Sequence, residues 1–131
     1  LQRLSSKYLK DIITHDNFEY TYFRRIAPRS YEVSVKVISD VSFISIPFSI
    51  RVIGDAAIVA LLDLENKEEK DISVWGRRVQ LDFMKIIPTN KPFIFQLDFS
   101  EVVHRMGEPT TCVIRYKTLC NKLSGTIVAT K

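Results

Sequence analysis

The side chains able to do acid–base or nucleophilic chemistry are few and scattered. There are two histidines, His15 and His104, and two cysteines, Cys112 and Cys120. Asp98, Ser100 and His104 carry the letters of a catalytic triad, yet no GxSxG elbow accompanies them. Ser100 has a simpler use as a helix cap. A metal site is not expected, because CxxC, HExxH, a 2-His-1-carboxylate spacing and an EF-hand loop are all missing. The four glycines stand alone at 54, 76, 107 and 125, which excludes a phosphate loop. Asp63, Asp82, Asp98 and Glu101 are carboxylates of the kind glycosidases pair, but nothing in the spacing sets their separation. Surface or turn carboxylates are the simpler reading. The expectation is a non-enzymatic chain with no catalytic residue, no cofactor and no metal.

Binding chemistry is better represented. Nineteen Lys and Arg against fifteen Asp and Glu give a net charge of +4. The positive charge is grouped at Arg24 and Arg25, at Arg77 and Arg78, and at Arg115 and Lys117. These six are the expected contacts to single-stranded RNA or to an anionic membrane surface. Trp75, beside Arg77 and Arg78, adds a ring that can stack on a base or anchor a hairpin. Two cysteines without CxxC spacing suit free thiols in a reducing compartment, hence an intracellular location. No run of eighteen apolar residues is present, so no membrane-spanning helix is expected. Leu1 in place of an initiator Met reads as a trimmed fragment.

These groups need elements to position them. Leu1, Leu4, Tyr8, Leu9, Ile12 and Ile13 recur at helical spacing, predicting an amphipathic helix over 1–15. Its stripe, chiefly Leu4, Tyr8, Leu9 and Ile12, is the expected self-association surface. Two-residue alternation then sets in at Phe18–Tyr22 and Tyr31–Val37, predicting half-buried strands. Gly54-Asp55, between two apolar runs, reads as the turn of a hairpin. Asp63 then falls on that hairpin's core face. It should sit at the rim, hydrogen-bonded or paired with a cation, because an unpaired buried carboxylate is costly. A second hairpin is expected, pairing Phe83 with Leu97 and Leu81 with Phe99. Ser100–Gly107 reads as a short helix, with Ser100 as its cap and Gly107 closing it. Strands at Thr111–Leu119 and Thr126–Ala129 follow, with Cys112, Ile114 and Tyr116 facing in. The expected architecture is a single β-rich domain over 1–131, an antiparallel β-sandwich of jelly-roll type with about eight strands.

Three segments resemble, in order, motifs of the thirty-kilodalton superfamily of plant-virus movement proteins. They are Gly54 to Asp63, read as GDAAIVALLD; Lys85-Ile-Ile-Pro88; and Val103-His-Arg-Met-Gly107-Glu-Pro109. The resemblance implies a jelly-roll-like core that binds single-stranded nucleic acid without sequence preference, self-associates and acts at membranes. It also implies that Asp63 is structurally or functionally required. The expected function is therefore a viral binding and assembly module in the host cytoplasm, homo-oligomeric and associated with RNA or membrane. A viral matrix protein linking nucleocapsid and membrane is the first alternative. A host protein- or carbohydrate-binding β-sandwich is the second.

Overall fold

The computed structural model describes residues 17–39, 41–67 and 74–131. The helix expected over 1–15, with Leu4, Tyr8, Leu9 and Ile12, lies outside the described residues. Six strands and one helix follow in the order β1 (Asn17–Ala27), β2 (Ser30–Ile38), α1 (Ile46–Leu64), β3 (Trp75–Phe83), β4 (Phe93–Arg105), β5 (Glu108–Thr118) and β6 (Leu123–Thr130). All six strands join one antiparallel sheet, in the order β1-β2-β4-β5-β6-β3. The chain is β-rich, as its alternating segments imply. Among the described residues there is one sheet with one long helix against it, not the two facing sheets of a sandwich.

The decisive departure is at residues 46–64, a nineteen-residue helix where two strands and a turn are expected. Its apolar run supports both periods. Ile46, Phe48, Ile50 and Val52 alternate as a strand would. Phe48, Val52, Ala56 and Ala60 also recur every fourth residue, as do Ser49, Ile53, Ala57 and Leu61, and these eight are the buried face. The ends decide between the two. Ser45 has extended backbone and its hydroxyl accepts from the Phe48 N–H at 3.3 Å, a helix N-cap. Pro47 falls in the first turn, where its missing N–H costs nothing. At the far end Glu65 N–H donates to Leu61 O, and Asn66 takes the left-handed conformation with φ 59°.

β3 and β4 do not form the expected hairpin: β4 lies between β2 and β5, and β3 crosses to pair with β6. Phe83 therefore lies opposite Leu123 rather than Leu97, and Leu81 opposite Gly125 rather than Phe99. Ser100–Gly107 is not a helix. β4 runs through to Arg105, with irregularities after Phe99 and Val103, and turns tightly at Met106-Gly107. Both central residues have positive φ, 54° and 80°, the geometry of a two-residue hairpin turn.

The inner sheet face presents Tyr31, Val33 and Val35, then Phe93, Phe95, Leu97 and Phe99, then Cys112, Ile114 and Tyr116 to the helix. The sheet curls around α1. At one edge Phe18 packs edge-on against Phe48, and the Tyr20 hydroxyl donates to the Val52 carbonyl at 3.4 Å. At the other edge Val79 and Leu81 of β3 face α1 across a cavity. Gly125 permits the close approach of β6, β5 and β3. The Tyr116 hydroxyl passes it to donate to the Gln80 carbonyl, and a Cβ at Gly125 would come 2.6 Å from Tyr116 Cζ.

Candidate functional site

The curl leaves an apolar slot between α1 and the β3–β6–β5 side of the sheet, with a volume of about 300 Å³. Ile53, Ala57 and Leu61 from the buried helix face, with Ile114, Tyr116 and Ala129, supply buried side chains to its lining. Ile50 and Ile58 line it from the helix's exposed flank. Arg51 and Asp55 are the two charged residues among those that line it. They are one helical turn apart, so they project from the same flank. An apolar concavity bearing a few convergent polar groups is the usual form of a small-molecule site.

The side chains of this pair reach toward the aromatic residues of β1, at the outer rim of the slot. The Arg51 guanidinium carbon stands 5.3 Å from the centroid of the Phe18 ring. Burial, with the Asp55 charge adding to it, pushes the Tyr20 phenol up to about 12. Asp55 is solvent-exposed, so its carboxylate is accessible to a water or to a ligand at the slot. Sequence reasoning missed Arg51, Gly54 and Asp55 because it placed Gly54 and Asp55 at a turn and Arg51 on the outward face of the strand before it. Had 46–64 been read as helical, the Arg51–Asp55 spacing would have signalled a charged pair on one face.

The residues expected to bind phosphate do not converge. Arg24 and Arg25 are on β1 and Arg77 and Arg78 on β3, at opposite edges of the sheet, while Arg115 and Lys117 are on β5 between them. Arg24 donates to both carboxylate oxygens of Glu32, at 3.1 and 3.2 Å, and Arg77 to the Thr130 hydroxyl at 3.2 Å. Arg25 is turned back to the Pro28 carbonyl and lies 3.8 Å from Asp63. Arg78 pairs in register with Val128. Arg115 and Lys117 project from the outer sheet face, across a depression from Asp82.

Asp63 sits in the last turn of α1. It accepts the Tyr31 hydroxyl at 2.7 Å, which ties the helix end to the β1–β2 hairpin. The triad letters are apart in use. Asp98 accepts the Ser30 hydroxyl at 2.5 Å, Ser100 donates to Val113 O, and His104 Nε2 lies 2.7 Å from Glu65 Oε1. Both thiols are free. Burial pushes buried Cys112 up to about 11. At exposed Cys120 partial burial acts upward, but the Thr118 hydroxyl and the Lys122 surroundings carry the net shift downward. Among the described residues no three His, Cys, Asp or Glu side chains lie together as a metal site would need. None of the described helices is long and apolar enough to cross a membrane.

No protein-family model matches the chain, and no curated protein matches it by sequence. Solved structures do match. One is a thioesterase superfamily protein from Shewanella loihica PV-4, with a TM-score of 0.62 at 10% identity, covering 84% of this chain and 89% of that one. A second is a hypothetical thioesterase protein with coenzyme A from Streptococcus pneumoniae TIGR4, at 0.59 and 11%, covering 87% of each chain. A third is AziG from S. sahachiroi, at 0.55 and 16%, covering 84% and 89%. At these identities the likeness is one of fold.

That finding overturns the resemblance to plant-virus movement proteins. The backbone is shared with thioesterase-superfamily structures, and GDAAIVALLD is the middle of a helix rather than a strand ending in aspartate. The non-enzymatic viral binding and assembly module falls with it, as do the RNA-binding, membrane-associated and matrix-protein readings attached to it.

Proposed function

We propose that the chain is a hotdog-fold protein, a sheet wrapped around one central helix, that hydrolyses acyl thioesters. The observation that carries this reading is the placement of Asp55 and Arg51 on the flank of the central helix, at an apolar slot of about 300 Å³. The shared fold supports it, since two of the neighbours are described as thioesterases and one of these was solved with coenzyme A. The carbon chain of an acyl group lies in the slot and its thioester carbonyl reaches the charged flank.

Asp55 then acts as general base. It takes a proton from water as the water oxygen bonds to the carbonyl carbon. Negative charge grows on the carbonyl oxygen, and the Arg51 guanidinium on the same flank favours it. The carbon–sulfur bond breaks, the sulfur leaves with the electron pair and takes up the proton, and the products are a carboxylic acid and a thiol.

The test is thiol release from acyl-coenzyme A substrates of graded length, followed with a thiol-reactive dye. Turnover by the parent chain and a loss of at least about a hundredfold in Asp55→Asn, with unchanged circular dichroism, are expected. A folded protein that releases no thiol from any of them refutes the proposal.

A further inference from the structure

We infer that Gly54 is a specificity-determining residue of this slot: its missing side chain leaves the passage along which an unbranched acyl chain lies between α1 and β3. The inference rests on the acyl-thioester reading above and adds to it the residue that selects chain length.

Gly54 is in the interior of α1, where glycine is a poor choice. It loses more backbone freedom on folding than alanine does and weakens the helix. A mid-helix glycine usually has one of two structural reasons, and neither holds. Its φ is not positive; Gly107 is the glycine with that property among the described residues. Nor does a neighbour press on it, because a Cβ built at Gly54 meets no atom within 4 Å. Gly125 is the contrast, since there the same atom would collide with Tyr116 and the Gln80 carbonyl.

The open space at Gly54 belongs to the slot. Gly54 lines it together with Ile50 and Ile58 of the helix and Val79 and Leu81 of β3. The next residue is Asp55. Adjacent helical residues point about 100° apart, yet both line the slot, so a ligand whose carbonyl reaches Asp55 lays its tail along the side of the helix that carries Gly54. A slot of about 300 Å³ is at the small end of the usual range for ligand pockets, so a single side chain added to its wall takes a sizeable share of it. A side chain at 54 takes volume from the stem of a long acyl chain and leaves a two-carbon acyl group room.

The experiment compares the parent with Gly54→Ala and Gly54→Leu. It measures initial rates of thiol release from acetyl-, hexanoyl- and decanoyl-coenzyme A, and thermal unfolding of the same samples. Gly54→Ala should unfold about 3 °C higher than the parent, because alanine favours the helix. Its kcat/KM on the decanoyl substrate should fall about tenfold relative to that on the acetyl substrate. Gly54→Leu should lose more and move the preference toward short chains. Unchanged chain-length preference in both variants overturns the inference and leaves the acyl-thioester reading standing. Equal losses at every length also overturn it, since they mean that position 54 disturbs Asp55 rather than gauging the tail. Failure of the parent on all three substrates removes the functional reading itself, and the inference with it.

Discussion

Replacing Gly125 by alanine should cost about 3 kcal/mol of stability, far more than one added methyl usually does. Gly125 pairs with Leu81 on one side and Tyr116 on the other, and the Tyr116 hydroxyl reaches past it to the Gln80 carbonyl. The new Cβ would sit 2.6 Å from Tyr116 Cζ and nearer still to the Gln80 oxygen. Optimal carbon–carbon separation is about 3.5–4.0 Å, so the overlap is about 1 Å. Neither neighbour can swing away cheaply. The oxygen belongs to the backbone of β3, and Tyr116 is buried at 2% exposure. Overpacking of this kind costs about 1–3 kcal/mol, and displacing the ring breaks its hydrogen bond for about 1 kcal/mol more. At roughly 3 °C per kcal/mol for a chain of this size, the midpoint should fall by about 10 °C. Urea and thermal unfolding followed by circular dichroism measure it. Gly54→Ala is the matched control, because the same substitution at an open helical site should change stability in the opposite direction. A loss below about 1 kcal/mol at Gly125 would refute the close approach of β3, β5 and β6, and with it the shape of the slot they wall.

Other perturbations have equally definite outcomes. Tyr31→Phe removes the hydroxyl held by Asp63 and should cost about 1 kcal/mol in urea unfolding, leaving Asp63 with Arg25 at 3.8 Å. Burial pushes the Tyr20 and Tyr116 phenols up to about 12, so their contribution is whole below pH 10 and is lost as pH rises through about 12; absorbance of tyrosinate should rise together with loss of ellipticity in that window. Glu32 moves the other way: hydrogen bonds from Tyr22 and Arg24 hold its carboxyl below the usual range, so its contribution is present above the ordinary carboxylate pKa and disappears as pH falls through the lowered one. Glu32→Gln should flatten the acid limb of a stability–pH profile. Met106→Asn should raise stability by up to about 1 kcal/mol, because Met106 is fully exposed with φ 54° and asparagine tolerates that conformation in a two-residue turn.

The parts of the fold legible in the sequence were those where one face of a strand is buried and the other wet. Tyr31, Val33 and Val35 alternate with Glu32 and Lys36, and only a strand buries the first three while exposing Lys36. Cys112, Ile114 and Tyr116 against Arg115 and Lys117 read the same way. The run from Ile46 to Leu64 was not legible by period, because both the alternate and the fourth-residue positions are apolar. Its true signals were local and small, a serine cap and a proline in the first turn. Ser100–Gly107 failed for a related reason. Serine, glycine and charge placement suit a helix end, but the same glycine serves a hairpin turn, and Val102 and Val103 favour a strand.

The 46–64 segment decides which carboxylate stands beside the slot. As a hairpin, 46–63 puts Gly54 and Asp55 at a solvent-facing tip and Asp63 on the core face at the rim, so Asp63 draws attention and Asp55 none. As a helix inside a curled sheet, the same residues reverse roles. Asp63 falls in the last turn and is satisfied by Tyr31, a hydrogen bond that fastens the helix end. Asp55 falls mid-helix beside an apolar slot, on the flank that carries Arg51 and just after a glycine no neighbour requires. Helix stability is given up at Gly54, about 1 kcal/mol relative to alanine, and is offset at the ends by Ser45, Pro47 and the Asn66 turn. On the acyl-thioester reading, stabilising the ends while giving up helix propensity at Gly54 leaves room for the substrate beside the middle of the helix.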